Sequence, residues 1–393
     1  MNREEQWLLP DGVDEILPER AAVIERLRRR LLDLYARWGY ELVFPPLIEY
    51  LESLLNGAGR DLERETFKLT DQLTGRMMGV RADLTPQVAR IDAHSLRRSG
   101  PSRLCYCSSA LRTRPPLPGA TRAPYQIGLE LFGHAGVDSD AEVISLMLTT
   151  LLAAGVRGIT LDLGHVGIYR TLVRDSELSE DDEQALSDLY LRKARVELDA
   201  FFAERRVSAA TAAALSALPW LAGADALQRA RPLIEAANPA ALVKLDELAE
   251  QVARVQDAFP DVRVHVDLGE LRGYRYHTGC IFAAYVDGGS EPFAKGGRYD
   301  RIGEVFGRAR PATGFSADLK LLAACQPSAP LPRAILAPAG ADASLRQELA
   351  RLRDAGERVV QALAGVDSDP AELCCDRQLV PEGAGWKVIP LSS

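Results

Sequence analysis

The side chains best suited to chemistry gather in one stretch, Asp261 to Tyr285, which reads DVRVHVDLGELRGYRYHTGCIFAAY. Within it Arg272, Arg275, Tyr276 and His277 lie close together. A guanidinium beside two ring-bearing polar side chains offers charge-assisted donors, a hydroxyl and an imidazole to one small polar molecule. Gly269 and Gly273 bracket the arginine and would let a ligand approach the backbone. Taken alone, the stretch also fits a surface hairpin with solvated arginines. A second group lies in Tyr125-Gln-Ile-Gly-Leu-Glu-Leu-Phe132, where Gln126 and Glu130 share one strand face across Gly128, a polar face with a gap in it. A solvated sheet face is the plainer account of that pattern.

These residues need elements to hold them. Val262, Val264, Val266 and Leu268 alternate with Arg263, His265 and Asp267, and a second apolar run covers Cys280 to Val286. The period of two predicts two adjacent strands with the Arg-Tyr-His group near their junction. Ile24, Leu27, Leu31, Leu34, Tyr35 and Trp38 fall at helical spacing in the segment Pro18 to Trp38, and Gly39 supplies the stop. Tyr40 to Pro46 reads as a short strand ended by prolines, and Thr66–Thr70 with Met77–Arg81 as a hairpin. That hairpin delivers Arg81-Ala82-Asp83-Leu84-Thr85-Pro86, with Pro86 opening a helix. Ser102 to Ser108 is a further strand, Ala141 to Ala154 a helix, and Ile159 to Gly164 a strand. The segment 294–300, Ala-Lys-Gly-Gly-Arg-Tyr-Asp, reads as a glycine-bearing loop without the order of a phosphate loop.

Composition bounds the class. With 393 residues, 26% charged and 47% hydrophobic, the chain has room for two or three domains of a soluble globular protein. Its net charge of −8 argues against a surface built mainly for nucleic acid backbone. No apolar run is long enough to cross a bilayer, and MNREEQWLLPDG has neither the basic nor the apolar region of a signal peptide, so a cytoplasmic protein is expected. The six cysteines lack the C-x2-C pairing of zinc sites, so free thiols and no metal are expected. From 175 to 259 the chain turns to Ala, Leu and Glu, predicting a helical insertion between core segments 1–174 and 260–325. The linker Gln326 to Pro332 then leads to a small α/β module, 331–393.

Taken in order, the motifs resemble the class II aminoacyl-tRNA synthetase core, and within it the histidyl-tRNA synthetase family. Pro10-Asp-Gly with Asp14-Glu-Ile-Leu-Pro18 resembles that family's start, and Tyr40 to Pro46 its dimer-forming first motif. Arg81 to Pro86 is similar to the amino-acid-binding segment, and Leu111-Arg112 through Arg122 with Gln126 to Glu130 to the second motif. Leu271-Arg272-Gly273, Tyr276 and Thr278-Gly279 resemble the histidine signature, and Gly296-Gly-Arg-Tyr-Asp300 with Gly314-Phe315 the approach to the third motif. The resemblance covers residues 1 to about 325. It implies an α+β fold: an antiparallel sheet flanked by helices, with a helical insertion and a small C-terminal α/β module.

Several departures from that family touch the nucleotide. Arg114 stands where it has an acid, Ala123 where it has a glutamate, and Asp318-Leu319-Lys320-Leu321 where it has Gly-Leu-Glu-Arg. Leucine cannot donate to phosphate, and losing one such donor costs on the order of a hundredfold in rate. Arg275 and His277 replace an aspartate and a tyrosine, and the tail is shorter than the family's anticodon-binding domain. The amino-acid half remains. By resemblance Asp83, Thr85 and Gln126 accept from a histidine ammonium, Arg272 faces the carboxylate and Glu130 takes an imidazole N–H. Tyr276 and His277 close the ring side, and Arg112 serves either the carboxylate or the fold.

Such a combination is similar to the synthetase-like regulatory subunits of ATP phosphoribosyltransferase, the first enzyme of histidine biosynthesis. That resemblance implies a non-catalytic subunit with no cofactor and no tRNA, needed by a short catalytic subunit for activity. L-histidine would be the feedback effector, in a hetero-octamer containing a self-dimer of this chain. A histidine–tRNA ligase and a stand-alone histidine- or tRNA-binding paralogue are the alternatives.

Overall fold

A computed structural model of the chain describes residues 7–55, 60–115, 119–174, 176–271, 273–274, 276–289, 291–327, 332–383 and 385–391. The chain divides into two compact units, Met1–Ile16 with Ile24–Gln326, and Leu17–Val23 with Pro327–Ser393.

The larger unit is built on an eight-stranded sheet. In chain order the unit's strands are β1 (Glu41–Leu42), β2 (Ile48–Tyr50), β3 (Phe67–Thr70), β4 (Met77–Val80), β5 (Ser102–Ser109), β6 (Tyr125–Phe132), β7 (Ile159–His165), β8 (Arg263–Val266), β9 (Cys280–Val286), β10 (Ala294–Arg298) and β11 (Ala312–Asp318). The large sheet runs β1-β5-β6-β11-β10-β9-β7-β8, and β2-β4-β3 form a small sheet of their own. Its six central strands are antiparallel, and each edge strand pairs parallel with its neighbour. Parallel neighbours need a crossover connection. Between β7 and β8 that crossover is helical, from Val166–Arg174 to Leu242–Ala258. Within it Ser179 accepts from the Asp182 backbone N–H and Asp182 returns to the Ser179 N–H, a reciprocal cap on the helix Glu180–Leu191.

Two expectations change here. β8 and β9 are not adjacent, because β7 lies between them, parallel to β8 and antiparallel to β9. Alternation marks β8 and an apolar run marks β9, but neither says which strand lies beside which. Residues 294–298 form a central strand rather than a loop. Glycine usually weakens a strand, yet here it serves close approach. A Cβ on Gly296 would come 2.6 Å from the Phe282 ring, and one on Gly297 2.8 Å from His277 Nδ1.

Helices cover one face of the sheet. Tyr35 of the helix Pro18–Arg37 meets Phe315 of β11 edge-on at 6.3 Å. Its hydroxyl accepts from Thr150 of the helix Val137–Ala153, which packs on β6, β9, β10 and β11. The smaller unit carries β12 (Ala334–Ala337), β13 (Val359–Gln361), β14 (Cys375–Glu382) and β15 (Gly385–Pro390), ordered β13-β12-β14-β15. The helix Ala343–Asp354, capped by Asp342, buries Leu345, Leu349 and Leu352 against Ile335, Val359 and Leu379. Among the described residues no helix is long and apolar enough to cross a membrane.

Candidate functional site

On the sheet face carrying Glu130 lies a cavity of about 630 Å³. Pairing sets its floor. Glu130 stands opposite Gly314, which pairs with Gly297, then Ile281, then Gly164. Three of these five in-register positions are glycine, so the floor is low across the sheet. Asp83, Thr85, Glu130, Tyr276 and His277 line the cavity, joined by Tyr299. Strands and turns far apart in the chain thus bring together five of the residues singled out from the sequence.

Glu130 forms the closed end and is 1% exposed. Tyr106 Oη donates to Oε1 at 3.0 Å, and Tyr299 Oη donates to Oε2. Burial pushes the carboxyl well above the usual carboxylate range, against the lowering effect of nearby hydroxyl donors. The gap expected at Gly128 is not open space. A Cβ there would fall 2.6 Å from Tyr106 Oη, so the missing side chain is what lets the tyrosine reach Glu130. Gly314 plays the matching part on β11, where a Cβ would strike Glu130 Oε2.

Gln126 turns inward from the same strand. Its Nε2 donates to Asp83 Oδ1 at 2.8 Å and its Oε1 accepts from the Leu84 N–H at 3.1 Å. It fixes Asp83 and the start of the helix Thr85–Arg90 rather than lining the cavity. Asp83 Oδ1 also accepts from the Thr85 N–H at 3.1 Å, while Oδ2 has no hydrogen bond among the described residues. Tyr276 stacks on Tyr299 with centroids 5.0 Å apart, and its buried hydroxyl has no hydrogen-bond partner among the described residues. His277 meets Tyr276 edge-on at 5.2 Å, and its Nδ1 faces the Arg298 carbonyl at 3.3 Å, which requires the proton on Nδ1. Burial pushes the His277 imidazole down to about 4, so the ring is neutral at ordinary pH.

Arg112 is not part of the cavity wall. Its Nε points to the Ala82 carbonyl at 3.4 Å and lies 3.6 Å from a Glu65 oxygen. Arg272 and Arg275 fall outside the described residues. Tyr106, Tyr299 and Gly314 escaped the sequence reading as site residues. Tyr299 and Gly314 sit inside motifs that were noticed, but only strand pairing connects them to Glu130.

At the far end of the β6–β11 ladder the contacts close on themselves. Asp318 pairs with Gln126, and its Oδ1 accepts from the Tyr125 and Lys320 N–H groups at 3.1 and 3.0 Å. Lys320 Nζ reaches Asp14 at 2.8 Å, and Leu321 is half-buried in the helix Leu319–Ala324. Arg114 is exposed.

Two family models match the chain. The Histidyl-tRNA synthetase family model matches residues 12–322, and a model described as ATP phosphoribosyltransferase subunit HisZ C-terminal domain matches 332–389. The ATP phosphoribosyltransferase regulatory subunit of Chromohalobacter salexigens is 54% identical over 393 residues, covering all of both chains. The chain belongs to the ATP phosphoribosyltransferase regulatory subunit family. Another regulatory subunit, from Thioalkalivibrio sulfidiphilus, is also 54% identical and covers both chains fully. Among solved structures, an ATP phosphoribosyltransferase regulatory subunit/histidyl-tRNA synthetase from Bacillus halodurans superposes with TM-score 0.80 at 29% identity, covering 93% of this chain and 95% of that one. Histidyl-tRNA synthetase from Nostoc sp. PCC 7120 shares the fold, with TM-score 0.73 at 18% identity over 95% of this chain and 91% of that one. The α+β class II architecture of the regulatory subunits is therefore that of this chain.

Proposed function

We propose that this chain is the non-catalytic regulatory subunit of an ATP phosphoribosyltransferase and binds L-histidine as feedback effector in the cavity headed by Glu130. The observation that carries the reading is the contrast along one ladder. Glu130 and the Tyr276 hydroxyl, which has no hydrogen bond among the described residues, face a cavity, while Asp318 and Lys320 bond within the protein and Leu321 offers no donor. An amino acid with a ring N–H finds acceptors at the first end, its ammonium can reach Asp83, and Thr85 lines the same wall. An ATP phosphate finds no guanidinium at Leu321, so the reading includes no aminoacylation. Gln126 supports Asp83 from behind, and Arg272 is assigned to the effector carboxylate from its motif alone.

The partner is a short catalytic subunit in the cytoplasm, with copies of this chain paired inside a hetero-octamer. Exposed Leu42, Phe44, Leu47 and Ile48 around β1, with Phe44 71% exposed, support pairing along that edge. In domain terms we assign 1–174 with 260–325 to effector binding, 175–259 to a helical insertion and 331–393 to a separate small module. The decisive assay measures the short catalytic subunit alone, with this chain, and with this chain plus histidine. Activation by the chain and its loss on adding histidine are expected; a catalytic subunit indifferent to both rejects the proposal.

A further inference from the structure

Glu130 is held by residues that do not belong to its own strand. Tyr106 comes from β5, is fully buried, and passes its hydroxyl through the notch at Gly128 to Oε1. Thr85 Oγ1 lies 3.4 Å behind that hydroxyl, so Thr85 can donate to Tyr106 while Tyr106 donates to Glu130. Tyr299, just beyond β10 and 2% exposed, donates to Oε2. Its backbone is fixed by an N–H to the Ala312 carbonyl at 2.8 Å, and its ring by stacking on Tyr276. The carboxylate therefore has one hydroxyl donor on each oxygen. No described cation forms a salt bridge with it. A carboxylate offers about four lone-pair sites, so even with the Thr85 hydroxyl acting on Glu130 one remains for a ligand donor.

We propose that Tyr106 and Tyr299 are positioning residues that clamp Glu130 and thereby give the cavity its selectivity for a ligand ring bearing an N–H. This rests on the reading of the cavity as the histidine site. The clamp has two consequences. Fixed oxygens accept a ring N–H at one angle, so a ring of equal size without that hydrogen leaves a buried carboxylate facing nothing. Hydroxyl donors also favour the ionised carboxylate, the form that accepts an N–H. The groups facing Glu130 from the packed elements are Tyr106 on β5, Asp83 and Thr85 before and in the short helix, Tyr276, and Tyr299 after β10. Of these, Asp83 is the one other carboxyl group, and Gln126 holds it from behind at 2.8 Å.

The test uses the full-length chain as wild type, Tyr106→Phe and Tyr299→Phe. L-histidine and 2-thienylalanine, a ring of similar size without the N–H, are titrated calorimetrically from pH 5.5 to 8.5. Each variant should bind histidine about tenfold to a hundredfold more weakly and lose about as much of its discrimination against thienylalanine. Removing a donor should also move the acid limb of the histidine affinity profile to higher pH, by about one unit for a tenfold effect. A role confined to packing would weaken both ligands equally and leave the pH profile in place, and that result overturns the proposal. Thermal unfolding shows whether each variant is folded. If Tyr106→Phe is not folded, Tyr299→Phe, which keeps the stacked ring, decides alone. A wild-type chain that binds no histidine rejects the site reading itself; normal wild-type binding with unaltered variants rejects only the clamp.

Discussion

Two ends of one strand pair, β6 with β11, were built to opposite effect. At one end Glu130 faces Gly314, and the small residue leaves room above a buried acid. At the other, Gln126 faces Asp318, and both side chains are consumed by bonds to Leu84, Asp83, Tyr125 and Lys320. Both ends belong to one antiparallel ladder in a single register, so the side chains make the difference. A polar group already bonded within the protein has little to gain from a ligand. One left buried beside a cavity, such as the Tyr276 hydroxyl, has a hydrogen bond to gain.

The sharpest way to break this contrast is to fill the open end. Gly314→Ala puts a Cβ against Glu130 Oε2 and 2.5 Å from the Leu129 carbonyl, with backbone on one side that cannot yield. We expect histidine binding to vanish and stability to fall by about 3 kcal/mol, read from urea unfolding; a fully stable variant that still binds would contradict the account of the floor. Glu130→Gln is milder. It keeps shape but removes the charge, so histidine affinity should drop about tenfold to a hundredfold while sedimentation shows unchanged assembly. Undiminished feedback inhibition in a correctly assembled Glu130→Gln complex would reject this pocket as the regulatory site.

Smaller effects sharpen the same contrast. Phe44→Asp places a charge on the exposed β1 edge and should convert a dimer of the isolated chain to monomer at micromolar concentration in sedimentation; a dimer that persists rejects pairing there. His277 offers a pH test. Its imidazole is held near 4 in the folded chain against an ordinary 6.5, so between these values the unfolded chain binds the extra proton. Stability from this group is therefore complete above about 6.5, declines with falling pH, and is lost as pH passes through about 4. The stability difference between wild type and His277→Gln should widen as pH rises from 4 to 6.5 and stay level above. The smallest expected effect is none at all. Leu321→Arg restores one guanidinium, yet Asp318 and Lys320 keep their internal bonds, so histidine-dependent pyrophosphate exchange should stay absent. Exchange at synthetase rates in that variant would show that a single residue had closed the nucleotide end.

Much of this was legible in residues met one after another. Alternation marked β6 and β8, an apolar run marked β9, β5 and β7 also read as strands, and helical spacing marked Pro18–Arg37. An amino-acid role for Asp83, Gln126 and Glu130 came from resemblance; in the fold Gln126 bonds Asp83, and Asp83 and Glu130 line one cavity. Less legible was the division of labour between them. Gln126 and Glu130 share a strand face, yet only Glu130 lines the cavity, because Asp83 stands within reach of one and Tyr106 of the other. Glycine is common in turns, so residues 294–298 read as a loop; they form a strand because β9 and β11 pair with them on both sides, and glycine there leaves room for the Phe282 and His277 rings.

The sequence by itself determined the local periods, the caps, the acidic and apolar balance, and which chemical groups were available and which, at Leu321, were missing. Those follow from side-chain size, branching and charge over a few neighbouring residues. Only the tertiary structure decided that β7 separates β8 from β9, that Gly314 lies opposite Glu130, and that Tyr106 and Tyr299 converge on one carboxylate. Strand order and register join residues far apart in the chain, and a one-residue slip would turn every one of these side chains to the other face. That choice rests on burial of both sheet faces at once, which no local window contains.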